Sequence, residues 1–273
     1  MITQTITLTL DPYTTSWSLY PIGDIHKGHV GHDKNALRKV IKQIEDNPHA
    51  YWIGMGDYGE YIDWLDKRFD PNSVDKSVYV HEFKNVAQVL NRLIVTDLEP
   101  IKDKCLGLLR GNHEKTYAER KSFDPAADLA ERFKVKYLGY EALTRITIKD
   151  IGGTNRYSLV VYTHHGFGAG KKPGSHVNNM LDMVLGYEAD LYILGHDHRI
   201  ITMKCMRKWL NTKGSLVNLP QCFLNSGSFL DMKQEGIEGY EVKKGMLPLP
   251  VGCPHANIKF KKKHNSFEIE LVA

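Results

Sequence analysis

The sequence predicts an α/β fold in which two β-sheets pack face to face and helices cover the outer faces of the sandwich. Three observations lead to this prediction. The chain opens with alternating strand-like and helix-like segments at residues 17–22, 37–44 and 51–55, a pattern that favours parallel strands joined by helical crossovers. From about residue 144 onward, strand-like runs dominate. Polar turns follow several strands, and a two-sheet arrangement can gather these turns along one edge.

Each element has its own signal in the sequence. Asp33 is typical of a helix N-cap, and the apolar positions that follow it recur at helical spacing until Asn47-Pro48. Asp124 with Pro125 predicts the start of a helix that runs to about residue 133. Further helices are predicted at residues 83–94 and 177–185, an irregular loop at residues 61–77, and strands at residues 2–10, 105–109, 144–149, 157–163 and 191–194.

Composition limits the class of protein. The 273 residues, with 42% apolar and 25% charged residues, predict a single globular domain over residues 1–273. The formal net charge of +4 fits an anionic substrate but does not by itself argue for nucleic-acid binding. Four cysteines without CxxC spacing, and a start without the charged region of a signal peptide, predict a cytoplasmic protein with reduced thiols. No run approaches the roughly 18 apolar residues that span a bilayer, so no membrane association is expected.

Five polar turns follow apolar runs, and they carry the chemistry. These turns are Asp24-x-His26, Gly56-Asp57, Gly111-Asn112-His113-Glu114, His164-His165 and Gly195-His196-x-His198. Carboxylate, imidazole and amide groups are suitable ligands for Mn, Fe, Zn or Ni. Side chains two residues apart on extended backbone project to the same side, so the D-x-H and H-x-H spacings can each present a pair of ligands. The sequence therefore predicts a metal site where the strands end.

This pattern resembles the calcineurin-like metallophosphoesterase superfamily, whose blocks are D-x-H, GD, GNH[D/E], H and G-H-x-H. All five blocks occur here in order over residues 23–198, with a weaker echo at residues 225–228. The resemblance implies a four-layer α/β/β/α domain that binds two divalent metal ions, with Mn favoured and Fe, Zn or Ni as alternatives. It also implies a hydrolase in which a metal-bridging hydroxide attacks the phosphorus of a phosphoester.

The resemblance also implies a role for each ligand. Asp24, His26 and His198 would hold the first metal, and Asp57 would bridge the two ions. Asn112, His196 and one histidine of the His164-His165 pair would hold the second metal. We favour His164 in that role because it follows the strand directly, with His165 as the alternative.

Other residues have roles that depend on their surroundings. The resemblance implies that His113 stabilises charge or protonates the leaving oxygen. Glu60 stands three residues after Asp57, where the protein Ser/Thr phosphatase branch keeps an acid that pairs with this histidine, so Glu60 either orients His113 or is a solvated loop residue. His29 is a candidate substrate contact. Lys171 and Lys172 either bind phosphate or form a solvated loop.

Two substrate classes remain open on sequence grounds. Residues 108–114 match the phosphatase branch, but residues 57–61 lack the arginine that this branch uses to hold phosphate. Residues 24–28 are closer to the repair-nuclease branch, although the tail after His198 is shorter than its DNA-binding domain requires. We therefore expect a phosphodiester, either a small nucleotide or a short single-stranded nucleic acid. The alternatives are a phosphomonoesterase resembling protein Ser/Thr phosphatases and a non-catalytic metal-binding scaffold of the same fold.

Overall fold

The structure is a computed structural model that describes residues 1–11, 13–150, 155–168, 170, 172–231, 233, 245, 247–261 and 266–273. Its strands are β1 (Ile2–Leu10), β2 (Ser16–Ile22), β3 (Ala50–Gly54), β4 (Cys105–Leu108), β5 (Glu141–Asp150), β6 (Asn155–His164), β7 (Leu191–Leu194), β8 (Ile200–Leu210), β9 (Leu216–Ser226), β10 (His255–Lys261) and β11 (Ser266–Val272).

The α-helices are α1 (Lys34–Asp46), α2 (Val86–Leu98), α3 (Asn112–Lys121), α4 (Pro125–Phe133) and α5 (Pro173–Gly186). Helices α1 and α4 begin where the sequence predicts, because the carboxylates of Asp33 and Asp124 each accept two backbone N–H bonds from the first turn. The predicted loop at residues 61–77 contains only a short 3₁₀ turn, Pro71–Ser73, among regular elements.

The strands form two mixed sheets. One sheet has the order β1-β5-β6-β7-β9-β8, and the other has the order β11-β10-β2-β3-β4. Strands β2, β3 and β4 are mutually parallel, and so are β6, β7 and β9. Ligands bind beyond the carboxyl ends of such strands. Each sheet therefore presents a set of turns where a site can form.

Three apolar clusters fill the spaces between the layers of the fold. The cluster between the sheets contains Trp17, Leu19 and Ile258 from one sheet and Val161 and Ile193 from the other. A second cluster joins the five-stranded sheet to α1, α2 and α4, and a third joins the six-stranded sheet to α5. The predicted two-sheet sandwich with helices on its outer faces is therefore confirmed. No helix among the described residues is long and apolar enough to cross a membrane.

Two features of the fold were not predicted from the sequence. β1 and β2 are close in sequence, but they belong to different sheets, and β1 pairs in parallel with β5. Helix α3 begins at Asn112, directly after the glycine of the GNHE block, and the sequence analysis did not predict it. Its sequence, NHEKTYAERK, is largely polar, so it lacks the apolar periodicity by which helices are recognised.

Candidate metal centre

Three ligand-type side chains from two turns form the first group of the site. Ligand atoms of Asp24, His26 and His198 all lie within 4.8 Å of one another. Nε2 of His26 is 3.1 Å from Nε2 of His198, which in turn is 3.3 Å from Oδ1 of Asp24. Asp24 Oδ1 is buried and has no hydrogen-bond partner in the described part of the chain. Two imidazole nitrogens therefore converge beside a buried carboxylate oxygen, an arrangement that can hold a cation.

A second group combines turns that follow strands of both sheets. Ligand atoms of Asp57, His165 and His196 lie within 4.8 Å of one another. Asn112 belongs with them, because its Oδ1 is 2.9 Å from Nε2 of His165. Nδ1 of His165 lies 2.7 Å from the carbonyl oxygen of Met55, which can only accept, so Nδ1 carries a proton and Nε2 is the nitrogen that faces Asn112 and Asp57.

The preference for His164 over His165 does not agree with this geometry. His165 is fully buried in the second group, whereas His164 packs edge-on against Tyr140 and Phe167 and accepts the backbone N–H of Gly166 at 2.8 Å. The reason is the two-residue period of a strand. Leu159 and Val161 point into the core between the sheets, so the row facing the centre continues at His165 and His164 falls on the other face.

The candidate ligands stand on unusual backbone. Asp24, His26, Asp57, His196 and His198 have φ angles of 48°, 49°, 51°, 72° and 56°. Residues other than glycine rarely adopt positive φ, and such strained positions cluster at functional sites. Among the described residues, three others besides glycine have positive φ, and two of these, Ser122 and Lys134, end helices α3 and α4. The positive φ angles thus occur at both ligand positions of the D-x-H block and at both ligand positions of the H-x-H block.

Main-chain hydrogen bonds hold the turn of Asp24 from two sides. Its N–H donates to the carbonyl of Gly56 at 2.9 Å, and the N–H of His26 donates to the carbonyl of Asp57 at 3.1 Å. The carbonyl of Asp24 accepts the Ser228 hydroxyl at 2.9 Å and the N–H of Phe229 at 3.0 Å. The weak sequence echo at residues 225–228 therefore supports the turn of the first group.

Gly111 is required by close approach and not by an unusual φ. Its φ is −92°, which any residue can adopt, but a Cβ at this position would overlap the carboxylate of Asp57. The glycine therefore lets the Asn112 turn lie directly against Asp57.

The side chain of Glu114 connects the turn at Asp57 with the turn at Gly111. It is fully buried, and its carboxylate accepts the backbone N–H groups of Asp57 at 3.0 Å, Tyr58 at 2.8 Å and Gly111 at 2.9 Å. Oδ1 of Asp57 accepts the N–H of His113 at 2.9 Å in return. In the sequence, Glu114 stands out only as the last residue of the Gly111-Asn112-His113-Glu114 block. The structure shows that this side chain sets the distance between the GD and GNH turns.

His113 and Glu60 are adjacent, but their contact differs from the expected carboxylate–imidazole pair. Nδ1 of His113 donates to the main-chain carbonyl of Glu60 at 2.7 Å, and the Glu60 carboxylate is 3.9 Å away. That carboxylate is instead 2.9 Å from Nδ1 of His26. Burial alone would lower the pKa of His113, but the charges of Glu60 and Asp57 outweigh it and the pKa is raised.

The candidate substrate contacts are not gathered at the centre. His29 is 6% exposed, and its Nδ1 accepts the N–H of Gly31 at 2.9 Å, so this nitrogen is used within the turn of residues 29–31. Lys172 is exposed and precedes α5. Lys171 lies outside the described residues.

A buried pair behind the H-x-H turn was not predicted. Nδ1 of His176, on α5, is 2.6 Å from the carboxylate of Asp197, between the two ligand histidines, and its Nε2 is 2.7 Å from the carbonyl oxygen of Gly170. Both side chains of the pair are almost fully buried. The two residues are 21 positions apart in the sequence, and neither belongs to a recognised motif, so only the fold reveals the contact.

The carboxylates and imidazoles of the two groups shift one another's pKa. Burial lowers the pKa of His165, but the carboxylates of Asp57 and Asp24 outweigh it and raise the pKa to about 10. Burial likewise opposes protonation of His198, whose pKa is raised by its contact with Asp24. Burial would raise the pKa of Asp57, but the neighbouring histidines hold it well below its usual range. The centre therefore places buried carboxylates beside imidazoles that can give up protons to a binding cation.

The donor set fits divalent metals of the first transition row. Imidazole nitrogens and carboxylate and amide oxygens are borderline ligands that Mn, Fe, Zn and Ni accept. The first group offers Asp24, His26 and His198. The second group offers Asn112, His165 and His196. Asp57 is in the second group, and its charge also acts on His26 and His198 of the first.

No protein-family model matches the sequence, and no curated protein matches it. Among solved structures, the fold is similar to a predicted phosphoesterase from Streptococcus pneumoniae, with 14% identity, a TM-score of 0.33, and coverage of 94% of this chain and 90% of that chain. It is also similar to a metallophosphoesterase from Sphaerobacter thermophilus, with 10% identity, a TM-score of 0.34, and coverage of 94% and 88%. The chain is similar to Haemophilus influenzae NAD nucleotidase as well, with 9% identity and a TM-score of 0.44; here 93% of this chain matches 49% of that chain. With identities of 9–14% and TM-scores of 0.33–0.44, the likeness to these three structures is remote.

Proposed function

We propose that this chain is a dinuclear metal-dependent phosphoesterase that hydrolyses phosphodiesters. The observation that supports this most is the convergence of the five sequence blocks on one centre. Four blocks supply two groups whose ligand atoms lie within 4.8 Å of one another, and Asn112 of the fifth lies 2.9 Å from His165 in the second group. Each block was singled out from the sequence, and the blocks are far apart along the chain. A chance association of isolated histidines would not bring every block to the same edge of both sheets.

The proposed ligand sets follow the geometry. Asp24, His26 and His198 hold one ion, with Asp57 shared between the sites. Asn112, His165 and His196 hold the other. When bound, two divalent ions supply Lewis-acid chemistry, lowering the pKa of water and neutralising charge on phosphate oxygens. We propose Mn²⁺ as the ion, as the superfamily resemblance favours; the mixed nitrogen and oxygen donors of both groups suit Fe, Zn and Ni as alternatives.

His113 is the proposed proton donor to the leaving oxygen. Its Nδ1 donates to the Glu60 carbonyl at 2.7 Å, so Nε2 is the nitrogen that exchanges a proton with substrate. Its ring stands edge-on to His26, with 4.8 Å between centroids, which places it beside the first group. One ligand-type nitrogen of His113 also lies within 4.8 Å of His26 and Glu60. We assign His113 to proton transfer because its Nδ1 is already used by the Glu60 carbonyl. Its raised pKa keeps it protonated closer to neutral pH. A general acid in this position contributes about 10²–10⁴-fold to turnover.

The shape of the turn after Asp57 supports a diester over a phosphoprotein. The next residue, Tyr58, is fully buried and donates its hydroxyl to the carbonyl of Leu109 at 2.9 Å. This turn therefore packs into the core at a position near which the phosphatase branch has a phosphate-holding arginine. We propose a small nucleotide-type diester or a short single strand as substrate. The four unpaired cysteines support a cytoplasmic location.

A substrate screen tests this proposal. Purified protein loaded with Mn²⁺ is assayed against bis(4-nitrophenyl) phosphate, 4-nitrophenyl phosphate, a cyclic nucleotide and single-stranded DNA. The expected result is higher kcat/KM for the diester than for the monoester, abolished by Asp57→Asn. A preference for the monoester would support the phosphatase alternative. Two bound metals without turnover of any compound would support the non-catalytic scaffold.

A further inference from the structure

Glu60 contacts two histidines of the site with two different parts of the residue. Its side-chain Oε2 is 2.9 Å from Nδ1 of His26, and its main-chain carbonyl is 2.7 Å from Nδ1 of His113. Both the carboxylate and the histidine rings are largely shielded, with 18% of the Glu60 side chain and 5% of the His26 side chain exposed. The contacts therefore persist with little competition from water.

The carboxylate contact determines which nitrogen of His26 is free. An ionised carboxylate only accepts hydrogen bonds, so Nδ1 of His26 carries the proton and Nε2 keeps its lone pair. Nε2 is the atom that faces His198 at 3.1 Å, inside the first group. A carboxylate that holds the far nitrogen of a ligating histidine fixes the ring and makes it a better ligand.

The main chain keeps Glu60 in register with His26. The N–H of Glu60 donates to the carbonyl of Lys27 at 2.9 Å, and the N–H of Lys27 donates to the carbonyl of Tyr58 at 3.0 Å. Lys27 and Gly59 thus form a parallel bridge between the D-x-H turn and the chain after Asp57. The Glu60 side chain is therefore directed to His26 by backbone pairing, and the contact does not depend on a flexible loop.

We propose that Glu60 is a positioning residue with two separable roles: its carboxylate orients His26 as a metal ligand, and its main-chain carbonyl orients His113. This inference rests on the proposed metal centre and deepens it. It differs from the sequence-based hypothesis, in which the carboxylate paired with His113, because 3.9 Å separates those groups. Substituting the Glu60 side chain then removes the first role and leaves the second, since the carbonyl is present in every variant.

Calorimetric titration of metal-free protein with Mn²⁺ tests the first role. Wild type should bind two equivalents. Glu60→Ala should weaken one of the two sites by about 10–100-fold, the usual loss for a residue that supports a ligating histidine. Glu60→Gln should show a smaller loss, because its amide oxygen can still accept from Nδ1. Asp63→Asn is the matched control, since Asp63 is a buried carboxylate nearby that contacts Arg120 and Lys121; its two Mn²⁺ affinities should stay within about twofold of wild type.

Nitrogen-15 NMR of labelled histidines gives a readout independent of affinity and activity. In metal-free wild type, the His26 signal should report a proton on Nδ1, and Glu60→Ala should redistribute that proton between the two nitrogens. Circular dichroism confirms that each variant is folded.

The outcomes separate the two proposals. If wild type binds no Mn²⁺, the proposed function fails whatever Glu60 does. If wild type binds two equivalents but Glu60→Ala binds both equally tightly and the His26 proton stays in place, the positioning role is refuted. A loss of both sites that Asp63→Asn shares would indicate general loosening of the segment and would also refute it.

Discussion

The carboxylate of Glu114 should be worth several kcal/mol of stability, because it carries three backbone hydrogen bonds at full burial. Oε2 accepts from Asp57 and Gly111, and Oε1 accepts from Tyr58. In Glu114→Gln, one oxygen becomes an NH₂ group. If the remaining oxygen keeps the two bonds of Oε2, the amide of Tyr58 faces a donor and loses its acceptor.

The size of the effect follows from these contacts. A buried N–H without a partner costs about 1–3 kcal/mol. Burial and the charge of Asp57 raise the pKa of Glu114 to about 8, so its carboxylate is ionised at a pH of about 9. At that pH the other two bonds change from a charged to a neutral acceptor, which weakens each by about 1 kcal/mol. Their sum is about 3–5 kcal/mol. At about 2–4 °C per kcal/mol for a chain of this size, Tm should fall by roughly 6–20 °C.

Thermal unfolding followed by circular dichroism at a pH of about 9, where Glu114 is ionised, measures this effect in metal-free protein. The matched control is Glu119→Gln, the same change on the same helix at an exposed glutamate that lies 3.9 Å from Lys115. Its Tm should stay within about 1–2 °C of wild type, because exposed ion pairs contribute little. If Glu114→Gln unfolds at the same temperature as Glu119→Gln, the carboxylate does not hold the two turns together and the reasoning is refuted.

Three further predictions concern the centre itself. His113→Ala should retain two equivalents of Mn²⁺ by elemental analysis while turnover falls by about 10²–10⁴-fold, with a larger loss for an alkyl diester than for a 4-nitrophenyl ester; loss of metal would instead make His113 a ligand. Asp57→Asn should weaken both Mn²⁺ sites in calorimetry, and an effect confined to one site would contradict a shared carboxylate. Mn²⁺ affinity should rise with pH up to about 10, because His165, whose pKa is raised to about 10, must lose its proton to bind; a flat pH profile would show that this imidazole does not bind metal.

The sequence predicted those parts of the fold that depend on local pattern. Apolar runs located the strands, and Asp124-Pro125 located the start of α4. The sequence did not predict helix α3, because this largely polar helix is stabilised by its position against the centre and not by an apolar face. The sequence also did not predict that β1 and β2 belong to different sheets, because the local pattern of a strand does not identify the strand with which it pairs.

Within the site, the sequence identified the residue types but not the direction of each side chain. Residues 159–162 are apolar on both faces of β6, so alternation does not tell whether His164 or His165 faces the centre. The partner of Glu60 depends on a bridge between two turns, and the contact between His176 and Asp197 depends on the packing of α5. These are tertiary relations that no local spacing encodes.

The positive-φ backbone of the ligand turns has a consequence for how the protein matures. Main-chain bonds such as that from Asp24 to Gly56 set these turns, and they need no ion to form. The imidazolium groups of His165 and His198 can meanwhile act as internal counter-ions to the buried carboxylates. The chain should therefore fold before it acquires metal and then exchange protons for cations in a finished cavity, unlike small zinc domains, whose folding waits for the ion.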